Sequence, residues 1–242
     1  MQSTVRLSAP VLCYVTDRHS LPVPPSQRED ALLKRIELAS AAGVDWIQIR
    51  EKDLSAKACS ALVSQAVERV QRASELQSGE TPRSRGPARI LVNDRLDIAL
   101  AEGAAGAHFG ENSLPPQAAG RIRHLLAAQP ASTGRNFSLG FSCHSLGSAQ
   151  AAASAGAGYV FFGPIFATPS KAAFGRPQGL ERLAGICAAI PIPVIAIGGI
   201  SLQNAAACVQ AGAAGIAAIR LFQDAPDLPA TVAALRISLE RV

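Results

Sequence analysis

Short apolar runs rich in β-branched and aromatic residues alternate along the chain with longer stretches whose apolar residues recur at helical spacing. The runs at 12–16, 46–51, 90–93, 106–109, 138–142, 159–162, 194–197 and 215–219 are mostly continuous rather than alternating. Parallel strands covered on both faces have that character. Between them, 29–42, 56–73, 116–128, 146–155, 180–189, 202–211 and 228–240 read as helices. Ala41-Ala-Gly43, Ala155-Gly-Ala157 and Ala211-Gly-Ala213 follow three of these segments, where glycine can take the left-handed cap before the next strand. About eight β/α pairs is the number that closes a barrel, so the pattern predicts an α/β fold, a single (β/α)8 TIM barrel over residues 1–242. Residues 77–87, rich in Ser, Gly, Pro and Arg, break the alternation and read as a flexible insertion.

Composition narrows what such a barrel could do. With 242 residues and 48% hydrophobic content the chain can bury a large core. No apolar run is long enough to span a bilayer, and the N-terminal residues lack a secretory apolar region, so the expectation is a cytoplasmic protein without a membrane partner. Cys13, Cys59, Cys143, Cys187 and Cys208 are odd in number and scattered, which predicts buried thiols rather than disulfides or a metal knuckle. A net charge of +5 favours anions, yet with 5% aromatics and no basic run interleaved with them, base stacking has few candidates. A phosphorylated small molecule fits better than nucleic acid. Ala-rich outer helices could also pack in a homodimer.

Reactive groups of such barrels sit at the C-terminal ends of the strands. After the second strand, alternation would place Gln48, Arg50 and Lys52 on one side, suited to phosphate or diphosphate oxygens; a solvated charge cluster is the rival reading. Asn93 and Asp94 after the third strand offer hard oxygen donors for Mg2+, or Asp94 is a helix N-cap. Thr168, Ser170 and Lys171 follow the sixth strand in a loop that could close over an anion. Gly198 and Gly199 end the seventh strand, and Ile219 and Arg220 the eighth, the usual phosphate position, where exposed backbone N–H groups meet a helix N-terminus. His144 lies at the mouth beside hydroxyl neighbours and could act as general acid/base, or simply bond a loop carbonyl. His108, within the fourth strand, reads as packed; His19 and His124 read as surface positions.

Tyr14-Val-Thr-Asp17, Gln48-Ile-Arg-Glu-Lys52, Val92-Asn-Asp-Arg95, Gly106-Ala-His-Phe-Gly110, Phe162-Gly-Pro-Ile-Phe166 with Thr168-Pro-Ser-Lys171, and Ala196-Ile-Gly-Gly-Ile200 occur in order. Together they resemble the thiamine phosphate synthase and TenI family over nearly the whole chain. The resemblance implies a barrel that binds a thiazole phosphate near Gly198, Gly199 and the end of the eighth strand. In synthases it implies hydroxymethylpyrimidine diphosphate on Gln48, Arg50, Lys52, Asn93 and Lys171, with Mg2+ between two aspartates, the first matching Asp94. The family pattern His-Leu-Gly-Gln-x-Asp-Leu-Pro here reads His108-Phe-Gly-Glu-Asn-Ser113-Leu-Pro115, so Ser113 replaces the second aspartate and Glu111 the glutamine. Arg220 stands where synthases carry a small serine. TenI-type members also lack the second aspartate, need no metal, and aromatise a carboxythiazole phosphate tautomer with a histidine matching His144. The expectation is therefore a TenI-like thiazole tautomerase without cofactor; the alternatives are a thiamine phosphate synthase using Mg2+, with Glu111 or water completing the site, and a non-catalytic thiazole-phosphate binder.

Overall fold

The computed structural model describes residues 9–77, 86–111, 113–115, 117–127, 137–168 and 176–240. Eight parallel strands close in chain order: β1 (Val11–Val15), β2 (Trp46–Ile49), β3 (Arg89–Asn93), β4 (Gly106–Phe109), β5 (Ser138–Cys143), β6 (Tyr159–Phe162), β7 (Val194–Ile197) and β8 (Gly215–Ala218). β8 returns to β1 with Gly215 opposite Val11. Among the described residues the α-helices are α1 (Arg28–Ala42), α2 (Ala56–Gln77), α3 (Leu96–Ala101), α4 (Ala118–Ala127), α5 (Leu146–Ser154), α6 (Gly179–Ala189), α7 (Ala205–Gln210), α8 (Arg220–Gln223) and α9 (Leu228–Glu240).

All eight expected strands and seven expected helices are present, and α3 and α8 are additions. At six and four residues, neither is long enough to display a helical period in sequence. α7 starts later than its apolar spacing suggests, because Asn204 accepts from Ser201 N at 2.8 Å and donates to Gly199 O at 2.9 Å, holding the preceding residues in a turn. Gly43, Gly156 and Gly212 take positive φ angles of 98°, 89° and 97° after their helices, as the repeated Ala/Gly elements predicted. Of the expected insertion at 77–87, α2 takes the first residue, while 78–85 lie outside the described residues.

Two hydrophobic layers hold this architecture. Inside the barrel, Val11, Cys13, Val15, Trp46, Leu91, Tyr159, Phe161, Ile195 and Ala217 form one cluster. Residues of the opposite strand faces, such as Leu12, Ile47, Val92, Val160 and Ile216, join the larger cluster beneath the helices. The interior is thus a packed core rather than a pore. Its bulk is aromatic, with Trp46 and Tyr159 ring centroids 4.8 Å apart. The Tyr159 ring needs a glycine beside it: Gly140 pairs with Tyr159 in the ladder, and a Cβ on Gly140 would fall among the ring atoms. Among the described residues, no helix is long and apolar enough to cross a membrane. All five cysteines are free and four of them are buried; burial pushes the thiols of Cys143, Cys187 and Cys208 up to about 11, which keeps them protonated.

Gly140→Ala should destabilise the barrel by roughly 2 to 3 kcal/mol, because the added methyl overlaps the Tyr159 ring, which is itself packed against Trp46 and Phe161. That corresponds to a fall in Tm of about 5 to 10 °C. Thermal denaturation of the variant checks it, and Tyr159→Leu in the same chain should recover part of the loss.

Candidate active site at the barrel mouth

A row of polar side chains links the ends of β2 and β3. Gln48, 2% exposed and facing inward, donates through Nε2 to Asn93 Oδ1 at 2.8 Å. Asn93 Nδ2 donates to Asp94 Oδ2 at 2.7 Å, and Lys52 Nζ stands 4.0 Å from the same oxygen. Asp94 adopts φ 60°, a left-handed conformation that Asp tolerates better than most residues. There its backbone N–H donates to His108 O at 2.8 Å and its Oδ1 accepts from Gly110 N at 3.0 Å. The N-cap alternative for Asp94 fails: α3 begins after Arg95, and no side chain caps it.

Strand alternation alone does not carry Arg50 and Lys52 to this row, because β2 ends at Ile49. Their loop is shaped by Glu51, whose carboxylate is 1% exposed. It accepts from Thr16 Oγ1 at 2.5 Å, from Arg18 N and from Arg18 Nη1 at 3.0 Å, while Thr16 Oγ1 accepts from Arg50 N at 3.0 Å. A buried carboxylate with this many donors is a satisfied anchor. Arg18 also grips Asp53 with both guanidinium nitrogens, holding the Asp53 carboxyl well below its usual range. The Thr16, Arg18 and Glu51 network was not anticipated; a Glu set between two cations in Arg50-Glu51-Lys52 was the one signal that the sequence carried.

Beneath the row, His108 is 1% exposed, lies 4.2 Å from Phe161 centroid to centroid, and bonds Ser142 Oγ at 2.9 Å and Tyr159 Oη at 3.2 Å. Burial, with the Arg50 charge in support, pushes its imidazole down to about 3, so it is neutral at physiological pH. It is packed, as expected. Ser142, expected only as a hydroxyl neighbour of His144, turns instead to His108, as its two-residue spacing from Gly140 on the inner face of β5 requires.

His144, about one-third exposed, faces Gly163 O with Nδ1 at 2.5 Å. A carbonyl can only accept, so Nδ1 carries the proton and the neutral ring keeps its lone pair on Nε2. Nε2 stands 3.8 Å from Glu111 Oε2. Glu111 is therefore turned toward His144. Ser113 N donates to Gly110 O at 3.0 Å, and a side chain at Gly110 would meet Ser113 Oγ at 2.9 Å and Asp94 Oδ1 at 3.9 Å, so these two oxygens flank one space. Among the described residues, no three His, Cys, Asp or Glu side chains form a metal cluster. One carboxylate and one hydroxyl still fit Mg2+, a hard cation that commonly takes its remaining ligands from substrate phosphates and water.

At β7 and β8, Gly198 and Gly199 have φ 95° and 68°, and added Cβ atoms would run into Pro164 at 2.6 Å and Ala167 O at 2.7 Å. Both positive φ and close approach of the β6 loop require glycine here. Ile219 packs its side chain on the interior cluster and leaves only backbone to this cup. Arg220 is exposed and reaches Thr168 Oγ1 at 3.5 Å across the cup. Ser170 and Lys171 lie outside the described residues.

Such a barrel, with a row of linked polar side chains on one side of β1 and a glycine cup on the other, has well-defined relatives. Residues 12–222 match the family described as thiamine monophosphate synthase. A putative thiamine-phosphate synthase of Geobacter sulfurreducens is 41% identical over 216 residues, covering 89% of this chain and 88% of its own. A thiamine-phosphate synthase of Roseiflexus castenholzii is 36% identical over 93% of this chain and 86% of its own. Among solved structures, thiamine phosphate pyrophosphorylase from Pyrococcus furiosus superposes with a TM-score of 0.74 at 28% identity, covering 96% of each chain. The chain belongs to the thiamine monophosphate synthase family of enzymes, and its place is in thiamine biosynthesis. The names of these relatives weigh toward the synthase rather than the tautomerase that Ser113 suggested.

The buried His108 imposes a pH dependence on stability. Its folded value lies below that of the unfolded chain, so on acidification the unfolded state takes up the proton first. Stability from this group is complete above about pH 6.5 and falls by up to about 1.4 kcal/mol per pH unit toward pH 3. Urea denaturation at pH 7, 6, 5 and 4 should show this decline, with a shallower slope in His108→Gln.

Proposed function

We propose that the protein is a thiamine phosphate synthase, joining hydroxymethylpyrimidine diphosphate to thiazole phosphate. The observation that carries this reading is the continuous row from Gln48 through Asn93 and Asp94 to Lys52. A tautomerase has no need of it, since its substrate carries no diphosphate. In the joining step, the thiazole ring nitrogen forms a bond to the exocyclic methylene carbon of the pyrimidine, and the bond from that carbon to the diphosphate oxygen breaks. No proton moves. The chemical demand is stabilisation of negative charge on the departing diphosphate, an electrostatic task for fixed cations.

Arg50 and Lys52 supply those cations, and the Glu51 anchor holds their loop in place before substrate arrives. Lys171, with Thr168 and Ser170, adds donors from the β6 loop. Gln48 and Asn93 present amides to the pyrimidine side. Gly198, Gly199 and the backbone at Ile219 receive the thiazole phosphate, and Arg220 adds a guanidinium at the rim. Asp94 and Ser113 would hold Mg2+, which when bound neutralises charge on the diphosphate.

A second reading rests on His144. With Nδ1 committed to Gly163 O, its Nε2 is the partly exposed group able to shift a proton between positions of a bound thiazole, as a tautomerase requires. Ser113 in place of a carboxylate also leans that way.

Purified protein given both substrates should form thiamine phosphate only with Mg2+. Asp94→Asn should lower kcat/KM about a hundredfold, equivalent to roughly 2.7 kcal/mol of transition-state stabilisation. Ser113→Asp should raise the apparent Mg2+ affinity. Absence of product at any Mg2+ concentration, together with conversion of the carboxythiazole tautomer that disappears in His144→Ala, would establish the tautomerase instead.

A further inference from the structure

Gln223, at the end of the four-residue helix α8, is 5% exposed and spends its whole amide on β1 and the loop that follows it. Its Oε1 accepts from Tyr14 Oη at 2.7 Å and from Asp17 N at 3.1 Å. Its Nε2 donates to Ser20 Oγ at 2.5 Å and to Asp17 O. One end of the amide meets a backbone donor and the other a backbone acceptor, so only one orientation satisfies both. Arg35 braces the same helix, donating to Phe222 O at 2.6 Å and to Ala225 O at 2.6 Å.

The loop that Gln223 grips does not end in solvent. Its next residue, Arg18, donates to Glu51, and Glu51 together with Thr16 sets the backbone at Arg50. Gln223 N itself donates to Ile219 O at 2.9 Å, so a hydrogen-bonded belt runs from the β8 end of the cup, through the β1 loop, to the Arg50 and Lys52 loop. In the closed barrel β1 is the single strand between β8 and β2. The belt bridges the two proposed anion sites along the shorter arc.

We infer that Gln223 is a positioning residue that fixes the distance between the phosphate cup and the diphosphate-binding loop, so that the two rings meet at reacting distance. The inference rests on the synthase reading. Gln223 touches neither substrate. Its effect is on alignment, and a misplacement of about 1 Å in a joining reaction can cost about a hundredfold in rate. Nothing in a phosphate cup alone would require a buried amide aimed away from it.

Gln223→Met keeps the side chain's length and apolar stem while removing every hydrogen bond of the Gln223 amide, and Gln223→Glu sets a carboxylate oxygen against Asp17 O. Both should lower kcat by about tenfold or more while each KM stays within about threefold, the pattern of an interaction needed only in the aligned complex. Tyr14→Phe removes one of the bonds and should leave kcat within about twofold. A lower Tm with kcat per folded molecule unchanged would overturn the inference, as would a rise confined to the KM for thiazole phosphate. Amide hydrogen exchange with inorganic phosphate as probe needs no turnover. Phosphate should slow exchange at residues 198–200 and 17–21 of the unsubstituted chain, but only at 198–200 in Gln223→Met. Equal protection of 17–21 in both proteins would overturn the tie, and no protection at 198–200 would remove the cup on which it depends. A chain that forms no thiamine phosphate yet shows this exchange pattern would lose the synthase reading and keep the tie.

Discussion

Closure of the barrel is the constraint on which everything else depends. Gly215 must meet Val11 across the β8 and β1 ladder, and that pairing brings residues some two hundred positions apart into one rim. Closure in turn requires an interior filled to close-packed density by side chains from alternate positions of every strand. The aromatic bulk on β6 and β2 is accommodated because β5 supplies Gly140 next to Tyr159. Since all strands run parallel, their C-terminal ends share one face, and every polar residue just past a strand is delivered to the same mouth.

Two carboxylates of the mouth, Glu51 and Asp53, shape the cation-bearing loop after β2. Glu51 is buried, yet four donor contacts from Thr16 and Arg18 satisfy it, so the cost of burying a charge is offset locally. Asp53 is exposed and adds a second grip on Arg18. Asp94 differs from both. Its left-handed backbone is a sparsely populated conformation held by bonds to β4, the kind of local strain that accompanies a side chain aimed for use.

The segment following β4 is, beside Arg220, where this chain departs from the pattern that the family resemblance implies. Replacing an aspartate by Ser113 and a glutamine by Glu111 preserves the local count of one acid but relocates it, and Glu111 now faces His144. Read from the linear sequence, that exchange pointed to proton chemistry. The relatives named as synthases, together with the intact row on β2 and β3, tip the reading back toward diphosphate chemistry. A hydroxyl and a single carboxylate remain adequate for an ion whose other ligands come with the substrate.

The sequence by itself determined the barrel, because buried parallel strands produce continuous apolar runs and the amphipathic helices between them have a period that can be read directly. It also marked Gln48, Asn93, Asp94, His144 and the glycine pair, whose positions at or just past the ends of apolar runs identify strand ends. What it could not determine were contacts between segments distant in the chain. The turning of Lys52 toward Asp94, the Glu51 anchor beneath Arg50, the pairing of Glu111 with His144, and the grip of Gln223 on the β1 loop all depend on which strands become neighbours and how far each loop reaches. The short helices α3 and α8 belong to the same class. Local periodicity is a property of a few consecutive residues, whereas hydrogen bonds across the mouth exist only once the barrel has closed and set its strand ends at fixed distances.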